Sequence, residues 1–223
     1  QTLYACSAGD GLYKKEGDKD WQKIILKNDT TGVDRWAFKA IDAPDNTTWA
    51  LTSTALWRLR NGRCDLIPIK GLEGDKLSTL SLADGACDDE GNLYVTSNKG
   101  FFVVEAGKDE CELSDFVPAC SYHSIQKDDN GLFWLAGDNG IARVDVKKKS
   151  FRLLTDSRNN IALHYFIFRS GFKDSRGRIH FGTNDGFVTL DPAHLSMDTD
   201  IPYLAFSDLY ISNNKVKRGS GPL

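Results

Sequence analysis

The chain has 223 residues, 40% of them hydrophobic and 26% charged, ordinary values for a chain that folds around one substantial core. Its 28 basic and 31 acidic residues give a net charge of -3, which leaves no electrostatic footprint for nucleic acid. The longest apolar runs, GFFVV and YFIF, fall far short of the roughly 20 residues that cross a bilayer, and the opening QTLYACSAGD lacks the regions of a signal peptide.

The first predicted hairpin, LYACSAGDGLYKKE from Leu3, is followed by a strand in WQKIIL from Trp21. A second unit, APDNTTWALTSTALWRL from Ala43, is followed by CDLIPI from Cys64. The third, DDEGNLYVTSNKGFFVVE from Asp88, precedes CELSDFV, and the fourth, DDNGLFWLAGDNGIARVD from Asp128, precedes FRLLT. A fifth, DSRGRIHFGTNDGFVTLD, begins at Asp174, and a late strand follows in YLAFSDLYIS, Tyr203 to Ser212. Their aromatic or aromatic-like positions, Tyr4, Trp49, Tyr94, Trp134 and His180, are separated by 45, 45, 40 and 46 residues. A period of this size belongs to solenoids or propeller blades. Apolar residues alternate within each unit, as in Leu132, Trp134 and Ala136, and no unit holds a three-turn helical stripe, so the repeats are β.

The Asp-x-x-Gly stretches at Asp88, Asp128 and Asp174 place an Asx-type turn between two strands. Asn98-Lys99-Gly100, Asn139-Gly140 and Asp185-Gly186 supply the positive-φ residues of a second hairpin. With the following outer strand, each unit is a four-stranded antiparallel blade, and the expected fold is an all-β propeller of about five blades. The first unit opens at a second strand, without residues for an innermost one. Either the five units close a small ring or they are part of a larger propeller.

The pattern Asp-x-x-Gly-x-Leu/Ile-aromatic, with a later Gly-Phe/Ile and an acidic residue, resembles the two-component regulator propeller repeat. Residues 88–105, 128–145 and 174–191 match it best. In the second copy Asn46 stands for the turn glycine and Ala55 for the hairpin glycine, and the first copy carries one extra residue before Gly11. The tail from Ile201 is similar to the linker and first strand of the Ig-like domain that follows these propellers. The resemblance divides the chain into propeller repeats over 1–200 and the start of an Ig-like domain over 201–223. It implies the periplasmic sensor region of a hybrid two-component histidine kinase, attached to the inner membrane through parts of the parent outside these residues. It also implies an oligosaccharide ligand derived from glycans, and it admits a homodimer.

In a propeller, the loops entering the innermost strands and those joining the second and third strands share one rim, where ligands usually bind. Here the entering segments are VDRWAF, LSTLSL, CSYHSI and ALHYFIF. Flat rings beside fixed donors and acceptors suit sugar recognition, which selects Arg35, Trp36, Tyr122, His123, His164 and Tyr165. Packing between blades is the competing role for Trp36, Tyr122 and Tyr165. Hairpin residues Asp10, Ser53, Asn98, Asp138, Asn139 and Asn184 share the rim, although turn geometry alone accounts for them.

The five cysteines, Cys6, Cys64, Cys87, Cys111 and Cys120, include no Cys-x-x-Cys pair and no histidine at metal-ligand spacing. No metal or other cofactor is expected. Cys111 and Cys120 could bridge adjacent strands, or could be buried free thiols. His180 occupies the blade aromatic position and His194 the exit linker, leaving His123 and His164 near the rim. No nucleophile, zinc or phosphate-loop motif occurs, so these residues are not expected to form an enzyme. The alternatives to a sensor are a lyase- or lactonase-like propeller and a protein-interaction platform.

Overall fold

The computed structural model describes residues 2–28, 32–72, 75–154 and 165–195, with short strands at 210–211 and 214–215. The chain divides into two compact units, Gln1–Ala193 and His194–Leu223. The first unit is an all-β propeller segment. Blade 1 contains β1 (Thr2–Ser7), β2 (Gly11–Glu16) and β3 (Gln22–Ile24). A small ladder of β4 (Lys27–Asn28) and β5 (Gly32–Val33) follows. Blade 2 has β6 (Ala37–Asp42), β7 (Thr48–Thr52), β8 (Leu56–Arg60) and β9 (Arg63–Ile67), and then one helical turn, α1 (Asp75–Ser78).

Blade 3 has β10 (Leu82–Cys87), β11 (Leu93–Ser97), β12 (Gly100–Val104) and β13 (Glu112–Leu113). Blade 4 has β14 (Tyr122–Lys127), β15 (Phe133–Gly137), β16 (Gly140–Asp145) and β17 (Ser150–Leu154). Blade 5 has β18 (Phe166–Lys173), β19 (Ile179–Thr183) and β20 (Gly186–Leu190). Each sheet is an antiparallel meander in sequence order. Among the described residues three of the five expected blades have four strands and two have three; blade 1 begins at its second strand. In the second unit, the described residues form one ladder, β21 (Tyr210–Ile211) with β22 (Asn214–Lys215). The rest of the strand expected at Tyr203–Ser212 lies outside the described residues.

The Asp-x-x-Gly turns do more than reverse the chain. In blade 3 Asp88 Oδ1 accepts from the amides of Glu90 (3.1 Å) and Asn92 (2.8 Å), while Oδ2 accepts from the Tyr94 hydroxyl at 3.0 Å. In blade 4 Asp128 Oδ1 takes the amides of Asn130 and Leu132, and Trp134 Nε1 donates to Oδ2 at 2.9 Å. In blade 5 His180 Nε2 lies 3.2 Å from Asp174 Oδ2. One carboxylate thus satisfies both the turn and the polar atom of the buried aromatic, which cannot be left unpaired cheaply. The glycines at the turns have φ between 79° and 89°, a left-handed conformation that a side chain disfavours.

Blade 2 breaks this device. Ala43 stands six residues before Trp49, where blades 3, 4 and 5 have aspartate, and among the described residues Trp49 Nε1 is buried without a partner. Asn46 takes the glycine's place at φ 63°. Around these turns the faces of adjacent blades interdigitate. Trp49, Leu51 and Leu56 pack on Leu93, Val95, Phe102 and Val104, and Tyr94 and Phe101 pack on Phe133 and Leu135. Each fully buried ring or aliphatic chain contributes about 1.5–3 kcal/mol. The corresponding face of blade 5 carries Phe172, His180 and Phe187, with Phe172 and Phe187 exposed.

Polar bonds tie the innermost strands. Asp84, only 1% exposed, pairs with Lys39 of blade 2 and accepts from Ser124 Oγ (2.8 Å) and the Ile125 amide (3.1 Å) of blade 4. The amide of Gly171 in blade 5 donates to Ser124 Oγ at 2.9 Å. A Cβ on Gly171 would lie 2.5 Å from that oxygen, so the approach requires glycine. Each described inner strand also slips register near its start, between Ala37 and Lys39, Leu82 and Asp84, Tyr122 and Ser124, and Phe166 and Gly171. These bulges place Phe38, Ala83, His123 and the segment 167–170 outside the ladder.

Two stability changes follow, both measured by urea unfolding. Ala43→Asp restores a partner for Trp49 Nε1 and raises stability by about 1 kcal/mol. Asp84→Ala strands the Lys39 ammonium and the Ile125 amide and lowers stability by about 3–5 kcal/mol.

Candidate functional site

The rim is defined by backbone bonds between hairpins and entering segments. The Gly9 amide donates to Arg35 O (2.8 Å), Asn98 to Ser81 O (3.0 Å), Asp138 to Ser121 O (3.1 Å) and Asn184 to Tyr165 O (3.1 Å). Arg35, Ser81, Ser121 and Tyr165 therefore share one edge of the propeller with the hairpins that join second and third strands.

The residue immediately before each inner strand stands clear of the interblade core. In blade 2 it is Trp36, 60% exposed, its amide fixed by Asp34 Oδ1 at 3.0 Å. In blade 5 it is Tyr165, 59% exposed. Arg35 is exposed beside Trp36. Tyr122, a rim candidate for which packing between blades is the competing role, is a core residue. It is the first residue of its inner strand, like Ala37, Leu82 and Phe166, and all four are buried. Its ring packs with Phe101, Val117 and Phe133, its hydroxyl donates to Pro118 O at 2.8 Å, and burial pushes its phenol above the usual range. His164 lies outside the described residues.

His123 is a bulge residue and is also buried, at 2% exposure. Its Nδ1 lies 2.7 Å from Phe166 O, tying blade 4 to blade 5, and Nε2 lies 3.2 Å from Ser121 Oγ and 3.0 Å from Asp138 Oδ1. The carbonyl makes Nδ1 the donor. Nε2 then accepts the Ser121 hydroxyl when the ring is neutral and pairs with Asp138 when it is charged. A serine nucleophile requires the carboxylate and the hydroxyl on opposite ring nitrogens. Here they share one, so the trio clamps the rim and does not relay a proton. The ring stacks on Phe168 at 4.1 Å between centroids and lies 5.9 Å from Tyr165. The structure thus brings His123 and Tyr165 together, with Phe168 and Asp138.

Across the axis the bulges of three blades meet. Arg169 of blade 5 donates from Nε to Ala83 O of blade 3 at 2.9 Å, and its guanidinium carbon sits 3.6 Å from the ring centroid of Phe38 in blade 2. Phe38, Ala83, His123 and Arg169 each lie five residues before the turn position, at Ala43, Asp88, Asp128 and Asp174. This column holds four unlike side chains where the packing columns hold similar ones. The sequence signal for Phe38 and Arg169 is their fixed five-residue distance from the turn, which the aromatic clusters alone do not carry.

The five cysteines are free thiols. Burial pushes Cys64 up to about 11 and Cys87 and Cys111 up to about 12, so these three stay protonated and poor nucleophiles at neutral pH. Among the described residues no three His, Cys, Asp or Glu side chains converge as metal ligands, and no helix is long and apolar enough to cross a membrane.

No protein-family model matches the sequence, and comparison with curated proteins gives no match. Solved structures are similar in fold. The extracellular domain of the hybrid two-component system BT4673 from B. thetaiotaomicron superposes with a TM-score of 0.65 at 20% identity, over 84% of this chain and 25% of that one. The chain thus spans about a quarter of that domain. Virginiamycin B lyase from Staphylococcus aureus gives a TM-score of 0.58 at 11% identity, over 85% of this chain and 73% of that one. YCF48 bound to a D1 peptide gives 0.54 at 14% identity, over 80% and 56%. At these identities the likeness establishes the β-propeller fold.

The clamp can be tested directly. His123→Phe keeps a ring over Phe168 but removes the bonds to Phe166 O and Asp138. The expected loss is about 1–3 kcal/mol in thermal or urea unfolding; an unchanged midpoint would show that the clamp carries no stability.

Proposed function

We propose that the chain is a ligand-binding segment of the periplasmic sensor region of a hybrid two-component system, and that its ligand is a glycan-derived oligosaccharide. The observation that supports this reading is the set of exposed rings next to the bulges: Trp36 and Tyr165 are exposed just before their inner strands, His123 stacks on Phe168, and Arg169 lies against Phe38. Rings cover the C–H faces of a sugar, and fixed polar groups between them select its hydroxyls. Similarity in fold to the BT4673 extracellular domain supports the sensor context and the periplasmic location. Signalling then passes from this segment to a kinase elsewhere in the parent protein, and the reading admits a homodimer.

A propeller lyase has the same fold, but the Ser121, His123 and Asp138 geometry does not activate a nucleophile. Titration of an oligosaccharide panel by calorimetry separates these readings. Binding should weaken at least tenfold in Trp36→Ala/Tyr165→Ala, in line with the loss of two ring contacts. Affinity unchanged in the double variant would discard the rim as the site. A new product detected by mass spectrometry after incubation would replace the sensor with an enzyme.

A further inference from the structure

The column of bulge residues singles out Arg169 for a reason that packing does not supply. Its φ is 60°, a left-handed conformation disfavoured for a non-glycine residue that persists where the surroundings impose it. Blade 5 imposes it by inserting two residues more than blade 4 at the same slip: five steps from Phe166 to Gly171 face two on β19, whereas three from Tyr122 to Ile125 face two on β15. The effect is to carry a guanidinium to the axis, against residues of blades 2 and 3.

Two contacts hold it there, and both leave its far edge unused. Nε is spent on Ala83 O, and one face is covered by Phe38. The terminal nitrogens have no carboxylate within ion-pair distance among the described residues. The carboxylate that acts on it through space is Asp84, and Asp84 is already engaged by Lys39, Ser124 Oγ and the amides of Gly85 and Ile125. Asp138, the acidic residue of the neighbouring hairpin, is paired with His123. Loss of solvent holds the Arg169 pKa below the usual arginine range, partly offset by Asp84. Arg169 is exposed to solvent, and among the described residues its outer edge meets no carboxylate, which leaves that edge open to an anion.

We propose that Arg169 is the anion-recognising residue of this rim and that the oligosaccharide bound there carries a carboxylate, as a uronic acid does. The inference rests on the rim being the ligand site and adds the chemical class of what enters it. With Nε and one face occupied, the remaining approach is edge-on, which suits a planar carboxylate. A sulfate ester can also accept two in-plane N–H groups, so a sulfated probe in the test separates the two anions. Trp36 and Tyr165 then supply the flat apolar surface for the sugar rings, and Arg169 reads the charge.

The test is calorimetry on the 223-residue chain with three probes: trigalacturonate, its methyl ester and neutral galactotriose, each at low and high salt. Trigalacturonate should bind roughly ten- to a hundredfold more tightly than its ester, the gain expected of one charge-assisted contact, and should weaken with salt while the neutral probes do not. Arg169→Gln should abolish the preference for acid over ester, and Arg169→Lys should restore part of it. A thermal melt checks that each variant is folded, and the acid, ester and salt comparison on the unaltered chain needs no variant. Equal binding of acid and ester, a preference that survives Arg169→Gln, or a sulfated galactan trisaccharide bound as tightly as the uronate would overturn the inference. If galactotriose binds as well as the acid and loses affinity in Trp36→Ala/Tyr165→Ala, the rim stands as the site and Arg169 loses its role. If none of the probes binds, both readings fall together.

Discussion

A single buried carboxylate sets the geometry on which the rest depends. Asp84 lies on the innermost strand of blade 3 and is almost wholly removed from water, a state that is costly for an unpaired charge. Lys39 from one neighbouring blade, and Ser124 and Ile125 from the other, supply the compensation. Gly171 joins from the blade beyond. Hydrophobic layers between blades are non-directional and would tolerate sliding of one sheet on the next. Directed bonds to Asp84 do not. With the Gly171 bond to Ser124 they fix the relative height of four inner strands, and so the height at which the bulges emerge above them.

Much of the fold was legible because its determinants are local. The alternation of apolar residues, the aromatic every 40 to 46 residues and the Asp-x-x-Gly turns each lie within a short window. What escaped depends on contacts far apart in sequence. Asp84 sits in LADGAC, and nothing within that stretch signals that its partners lie 45 residues before and 40 residues after it. Nor does the local pattern mark the β4–β5 ladder or the single turn α1, which connect blades and carry no repeat. The double use of the turn aspartates is readable afterwards from their fixed six-residue distance to the aromatic, and it explains why Ala43 leaves Trp49 unsatisfied.

The site was legible in part, and the error is one of register. Trp36 and Tyr165 are the last residues before their inner strands, whereas Tyr122 is the first residue within one. A step of one reverses the direction of a strand side chain, and in the four described inner strands that first position is buried. His123 is conspicuous as a histidine, and in the structure it fastens blade 4 to blade 5. Arg169 directly follows YFIF, but the long bulge between Phe166 and Gly171 that takes it out of the ladder leaves no mark in the local pattern.

A residue outside the ladder has no partner strand to satisfy. Phe38, Ala83, His123 and Arg169 occupy equivalent places with entirely different chemistry, while the turns and packing layers around them keep one pattern. Scaffolds of this kind let selectivity be rewritten one side chain at a time, as tools are exchanged on a common handle, with the frame left undisturbed.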